Sequence, residues 1–215
     1  MPSSAKLPIL HLDDHLVVVD KPPGILVVPA PGRGGATVVD LLGRQLGERV
    51  FAVHRLDEDT SGALVLARTE AARAGLDRLF AEHGAARTYH ALLSHAPQPP
   101  AGRIESRLAE GTDGVVRSVP RGGERAVTRY RTLCRRGRWT LVEVQPETGR
   151  RNQIRVHMAE LGCPLVGDRK YGFRVRGGPA VGRVMLHAAV LEFDHPVTGE
   201  RIAVRCEAPE AELRP

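Results

Sequence analysis

Lysine is nearly missing from this chain. It occurs only at Lys6, Lys21 and Lys170, so almost all of the positive charge is arginine. The 31 basic residues still outnumber the 25 acidic ones, for a net charge of +6 and an isoelectric point near 9.8. That excess suits an anionic partner such as RNA, although a chain rich in Arg, Ala, Gly and Pro is also what a GC-rich genome encodes. Cysteine is scarce as well. Cys134, Cys163 and Cys206 lie too far apart for a Cys-x-x-Cys metal pair, and their odd number argues against a disulfide framework. Aromatic residues are 4% of the chain, which excludes a broad base-stacking platform. No His-Glu-x-x-His pair and no phosphate-binding glycine fingerprint occurs, so neither a metal nor a nucleotide cofactor is expected. Met1 to Leu7 lacks the apolar core of a signal peptide, and no apolar run is long enough to cross a bilayer. The cytoplasm is the expected compartment.

What remains is ordinary for a globular protein. Hydrophobic residues are 42% and charged residues 26% of 215, enough to bury a core. We expect one unit, residues 1–215, acting as a monomer.

Short β-branched runs at Leu16 to Val19 and Ile25 to Val28 read as strands separated by the Lys21-Pro22-Pro23-Gly24 breaker. Val38, Leu41 and Leu42 then fall at helical spacing, with Thr37 as the cap. Ala63 to Ala67 reads as a strand. Thr69 opens a helix that carries Leu76, Leu79 and Phe80 and stops at Gly84. Beyond it, Tyr89 to Leu93, Ile104 to Leu108, Val127 to Leu133, Trp139 to Val144, Met185 to Phe193 and Ile202 to Cys206 read as strands, interrupted by one helix over Asn152 to Leu161. Few helices beside many strands, without β-α-β alternation, predict an α+β fold with a mainly antiparallel mixed sheet. Pro97 to Gly102 and Arg174 to Gly182 are the best loops, the latter either facing a polyanion or simply solvated.

Two clusters carry chemistry. In His54-Arg55-Leu56-Asp57-Glu58-Asp59-Thr60-Ser61-Gly62, polar groups crowd between two apolar runs, either as a self-bonding turn or as a site. A hydrolase triad of His54, Asp57 and Ser61 is disfavoured, because Ser61 lacks the Gly-x-Ser-x-Gly elbow. In Glu147 to His157, a helix would place Arg151 and Arg155 on one face, solvated or with one of them aimed at a carboxylate.

The segment HRLDEDTSGALVLA, from His54 to Ala67, resembles the signature of the RluA-type pseudouridine synthases. DDHLVVVDKPPGILV, RTYHALL, GRRNQIRVHMAELGCPLVGDRKYG and LHAAVLEFDHPVTGE resemble further segments of that family, in the same order. The likeness runs from about Leu10 to the end, which implies a catalytic domain without the separate N-terminal RNA-binding domain of some relatives. Asn152 stands where many members have His.

The resemblance implies an RNA uridine isomerase with Asp57 as the catalytic carboxylate and Arg155 as its cationic partner. It also implies that Arg55 fills the gap left by a flipped base and that Tyr89 packs on that base. No metal and no organic cofactor is implied, and the partner is RNA, ribosomal or transfer. Tyr171 is read as structural. The rival reading is an RNA-binding or ribosome-assembly factor that keeps the fold without the chemistry. Asp57 argues against it, because a carboxylate in a binding surface repels phosphate.

Overall fold

A computed structural model describes residues 6–174 and 181–214. The chain forms two compact units, one from Met1–Arg87 with Ala188–Ala208 and the other from Thr88–His187 with Pro209–Pro215. The first opens with strands β1 (Ile9–Leu12) and β2 (Leu16–Lys21), helix α1 (Val38–Leu46), the two-residue β3 (Phe51–Ala52), β4 (Ser61–Ala67) and helix α2 (Glu70–Ala81). Next come β5 (Ala86–Leu93), β6 (Ala101–Glu110), β7 (Val116–Ser118), β8 (Glu124–Arg136), β9 (Trp139–Pro146) and helix α3 (Gln153–Glu160). The chain then returns to the first unit through β10 (Leu186–Asp194) and β11 (Arg201–Arg205). This is the α+β architecture expected from the sequence.

In the first unit the strand order is β1-β2-β4-β10, with β11 on β10 and β3 on β4. β2 and β4 run antiparallel with Leu16 opposite Ala67 and Lys21 opposite Gly62. All seven residues of β4 are buried, so the strand must be apolar on both faces, and Ala63 to Ala67 is. Leu16, Val18, Val65, Leu76 and Phe193 share its core. Thr37 caps α1 by accepting the Asp40 N–H, and Asp40 returns the bond to the Thr37 N–H at 2.9 Å, a reciprocal capping box. Thr69 accepts the Ala72 N–H at 3.2 Å and opens α2.

The second unit orders its strands β5-β9-β8-β6-β7 with antiparallel pairing throughout that series. α3 packs on one face of it, where Val156 joins Leu108, Val116 and Ala126 in a small core.

One expected element is absent. Ile25 to Val28 forms no strand. Its carbonyls are engaged elsewhere: Ile25 O accepts the Lys21 ammonium, while Leu26 O and Val27 O accept the first amides of α1, from Val38 and Val39. With those acceptors occupied the segment has no ladder to join, although Ile25 and Val27 remain buried as apolar residues should. Most of the Arg174 to Gly182 loop lies outside the described residues.

Candidate active site

The loop between β3 and β4 carries Asp57 and is held in part by the groups around it. His54 Nε2 accepts the Val65 N–H at 3.2 Å, and its ring stacks on Phe80 with centroids 4.2 Å apart. Burial, assisted by the Arg87 cation, pushes the His54 pKa down to about 3. The ring is therefore neutral at physiological pH and serves as a fixed acceptor. With Nε2 occupied in this way, it is not the base of a hydrolase triad.

Beyond His54 the chain buries Leu56, leaves Arg55 exposed and keeps Asp57 half-buried. The Asp57 carbonyl accepts the Thr60 N–H at 3.1 Å, which turns the chain back toward β4. Thr60 and Ser61 are 2% and 1% exposed, so the turn enters the core at once. Gly62 makes this entry possible. Its φ of +112° is unfavourable for a side chain, and a Cβ there would lie 2.3 Å from the Ala188 carbonyl oxygen on β10.

A further tie on this loop comes from Lys21, which in the sequence reads as part of a strand breaker. Its side chain is fully buried, and Nζ donates to the carbonyls of Pro22, Ile25 and Glu58, each at 2.9 Å. Three ammonium N–H groups thus meet three carbonyls, which is how a buried cation is tolerated. The Gly24 N–H also donates to Glu58 O at 2.9 Å, and Arg33 pairs with the Glu58 carboxylate. The Lys-Pro-Pro-Gly turn and the residue next to Asp57 are therefore bound together through the backbone. The signal in the sequence was a lone lysine at the end of an apolar strand in a chain that otherwise uses arginine.

The second cluster lies in the other unit, with Tyr89 and Arg155. Tyr89 sits on β5 opposite Val144 and is 8% exposed. α3 is fastened by side chains on the face turned to β8. Gln153 donates to Val127 O and Thr128 Oγ1 at 2.8 and 2.9 Å and accepts from Thr148 Oγ1 at 2.6 Å. His157 lies between the hydroxyls of Thr128 and Ser106, at 2.8 and 3.1 Å, and burial lowers its pKa to about 4.

Arg155 then meets a carboxylate that the sequence reading did not single out. Its Nε and Nη2 donate to Asp168 Oδ2 and Oδ1 at 2.7 and 2.9 Å, a bidentate pair with Asp168 wholly buried. The guanidinium also lies over the Tyr171 ring, 5.1 Å from its centroid. Asp168 accepts the Tyr171 N–H as well, and the Tyr171 hydroxyl donates to Asn152 Oδ1 at 3.3 Å. Tyr171 thus lies against Arg155 and Asn152.

Asn152 precedes α3 with φ +53°, a left-handed conformation that Asn tolerates better than most residues. Arg151 lies outside the helix, exposed and paired with Glu110, so it shares no helical face with Arg155. Cys163 and Cys206 are buried and their thiol pKa values are raised by that burial, while Cys134 is partly exposed. Among the described residues no group of His, Cys, Asp and Glu has the arrangement of a metal site.

Residues 15–160, which include both the Asp57 loop and α3, match the RNA pseudouridylate synthase family. The ribosomal large subunit pseudouridine synthase D of Zymomonas mobilis is 38% identical over 97% of this chain and 71% of its own length. The tRNA pseudouridine synthase C of Pectobacterium carotovorum is 33% identical over 97% of this chain and 61% of its own. Among solved structures, human RNA pseudouridylate synthase domain containing 4 superposes with a TM-score of 0.77, at 30% identity over 94% of this chain and 89% of that one. With its motifs in family order and its fold shared, the chain belongs to the RNA pseudouridylate synthase family, in the RluA type.

Proposed function

We propose that this protein isomerises particular uridines of ribosomal or transfer RNA to pseudouridine, with Asp57 as the catalytic carboxylate. The observation that carries the assignment is a half-buried carboxylate on a loop whose backbone is clamped by His54 and Lys21. A rigid frame around one acid suits a reaction that depends on placing that acid against a sugar carbon.

The isomerisation breaks the N1–C1′ bond, turns the base and forms C5–C1′. The proton on C5 is lost to solvent and N1 gains one, so no electrons are exchanged and no redox cofactor is called for. Asp57 acts near C1′ and C2′, as nucleophile or as the base for the C2′ proton. Arg155, already oriented by Asp168, is the cationic partner that the family resemblance implies for this acid. The target base must leave the stack at a cost of roughly a few kcal/mol. Arg55, exposed on the same loop as Asp57, fills the gap. Tyr89 packs on the extruded base, a contact worth about 1 to 3 kcal/mol. The enzyme works as a cytoplasmic monomer.

The test is Asp57→Asn, which removes charge but little volume. Tritium release from RNA labelled at uridine C5 should fall to background, while RNA affinity stays within about threefold, a change under 1 kcal/mol. Turnover equal to the parent's would remove Asp57 from the mechanism. Loss of RNA binding along with turnover would give it a role in docking instead.

A further inference from the structure

Charge is divided unevenly between the two units. Thr88–His187 with Pro209–Pro215 holds 19 Lys and Arg against 10 Asp and Glu, a net +9, whereas the other unit holds 12 against 15, a net −3. The basic excess of the chain is thus a property of one unit, and part of it lies on one face of a sheet.

In the β6–β8 pair Arg103 stands opposite Arg129 and Arg107 opposite Arg125. In the β8–β9 pair Arg131 stands opposite Glu143. Cross-strand partners project from the same face, and residues two apart on a strand share it. These five arginines therefore occupy the face away from α3, which packs against the alternate residues, as the His157–Thr128 bond shows. The side chains of Arg125, Arg129 and Arg131 are 56%, 65% and 59% exposed.

Glutamates thread through the array. Glu105 bonds Arg103 and Arg125 at 2.6 and 2.7 Å, Glu143 bonds Arg131 at 2.7 Å, and Glu147 pairs with Arg129. Five arginines against three glutamates leave the face at +2. Arg129, Arg131, Glu143 and Gln145 also border an open hollow of about 350 Å³.

Exposed ion pairs are worth about 0 to 1 kcal/mol each, so exchanging a glutamate for a phosphate costs little, and a phosphate can take the bidentate geometry that Arg131 already makes with Glu143. Glu, Val and Gln separate the arginines on this face, and the Tyr130 ring that also lines the hollow is buried, with its hydroxyl on Pro99 O, so it presents no open face to stack a base. From Arg125 to Arg131 the strand extends about 20 Å, long enough to follow several phosphates.

We propose that this face docks the phosphate backbone of a double-helical RNA stem, with Arg125, Arg129 and Arg131 as the main contacts. Glu105 and Glu147 hold the arginines in register and compete with phosphate for them. The proposal rests on the reading of the protein as an RNA-modifying enzyme.

The experiment is fluorescence anisotropy of a labelled RNA duplex of about 16 bp titrated with full-length protein across a salt series. In R125Q/R129Q/R131Q the slope of log affinity against log salt should shrink by about two to three, with affinity at least about tenfold weaker near 0.1 M salt. E105Q/E147Q should bind about two- to fivefold tighter. Arg201→Gln, which removes a cation paired with Asp194 and Glu192 in the other unit, should bind like the parent. Thermal melts within a few degrees of the parent establish that the variants are folded.

Parent-like affinity and slope in the triple variant overturn the docking face, as does weaker binding by E105Q/E147Q. Tritium release by the parent separates the two claims. Turnover with an unaffected triple variant rejects the face and leaves the enzyme, while no turnover with a weakened triple variant keeps the face and rejects the enzyme.

Discussion

The residues that matter most near Asp57 are those that give up their own chemistry to hold a shape. Lys21 uses its ammonium on three backbone carbonyls, His54 uses a ring nitrogen on the Val65 amide, and neither is left for acid–base work. Removing Lys21 should therefore cost stability first. Lys21→Met fills similar volume but takes this donor from the Pro22 and Ile25 carbonyls and leaves Glu58 O with the Gly24 N–H, and each unsatisfied buried group costs about 1 to 3 kcal/mol. We expect a loss of about 2 kcal/mol or more in urea unfolding, with activity falling alongside because the Glu58 carbonyl is then tethered by the Gly24 N–H without the lysine. A loss under about 1 kcal/mol would mean that water or a shifted backbone satisfies those carbonyls and that Lys21 is not the clamp inferred here.

At the scale of elements, α3 and the Ile25 to Val28 segment show how far pattern reading goes. The helix was legible from its spacing, yet its low amphipathicity as a sequence concealed that Gln153 and His157 are buried polar anchors rather than surface residues. Ile25 to Val28 is as β-branched and apolar as a strand, but strand formation requires free backbone partners, and Lys21 and α1 take them. His157 gives α3 a pH dependence with a definite sign. Its folded pKa of about 4 lies below the ordinary 6.5, so the unfolded chain takes up the proton first as pH falls. The stability it contributes is complete above 6.5 and declines as pH drops toward 4, by on the order of 3 kcal/mol. His54 acts in the same direction. In urea titrations, His157→Gln should lose about one proton equivalent of the slope of unfolding free energy between pH 6.5 and 4. A slope identical to the parent's would show that His157 is already titrating normally in the folded state.

At the scale of the whole molecule, composition and tertiary structure answer different questions. A net charge of +6 and a shortage of aromatic residues already pointed to recognition through phosphates. Accordingly, KM for RNA should rise at least about tenfold between 50 and 200 mM salt while kcat at saturating RNA changes little. A KM indifferent to salt would assign recognition to base contacts.

The sequence by itself determined the fold class, the caps of α1 and α2, the family and the identity of the candidate acid, because each depends on local spacing or on a contiguous motif. Only the tertiary structure decided that Lys21 holds Glu58, that Asp168 takes Arg155 and that five arginines share one sheet face. These pairings join positions from 13 to 37 residues apart, or depend on strand register, and a side chain's partner at that distance is set by how the chain packs, not by its neighbours in sequence.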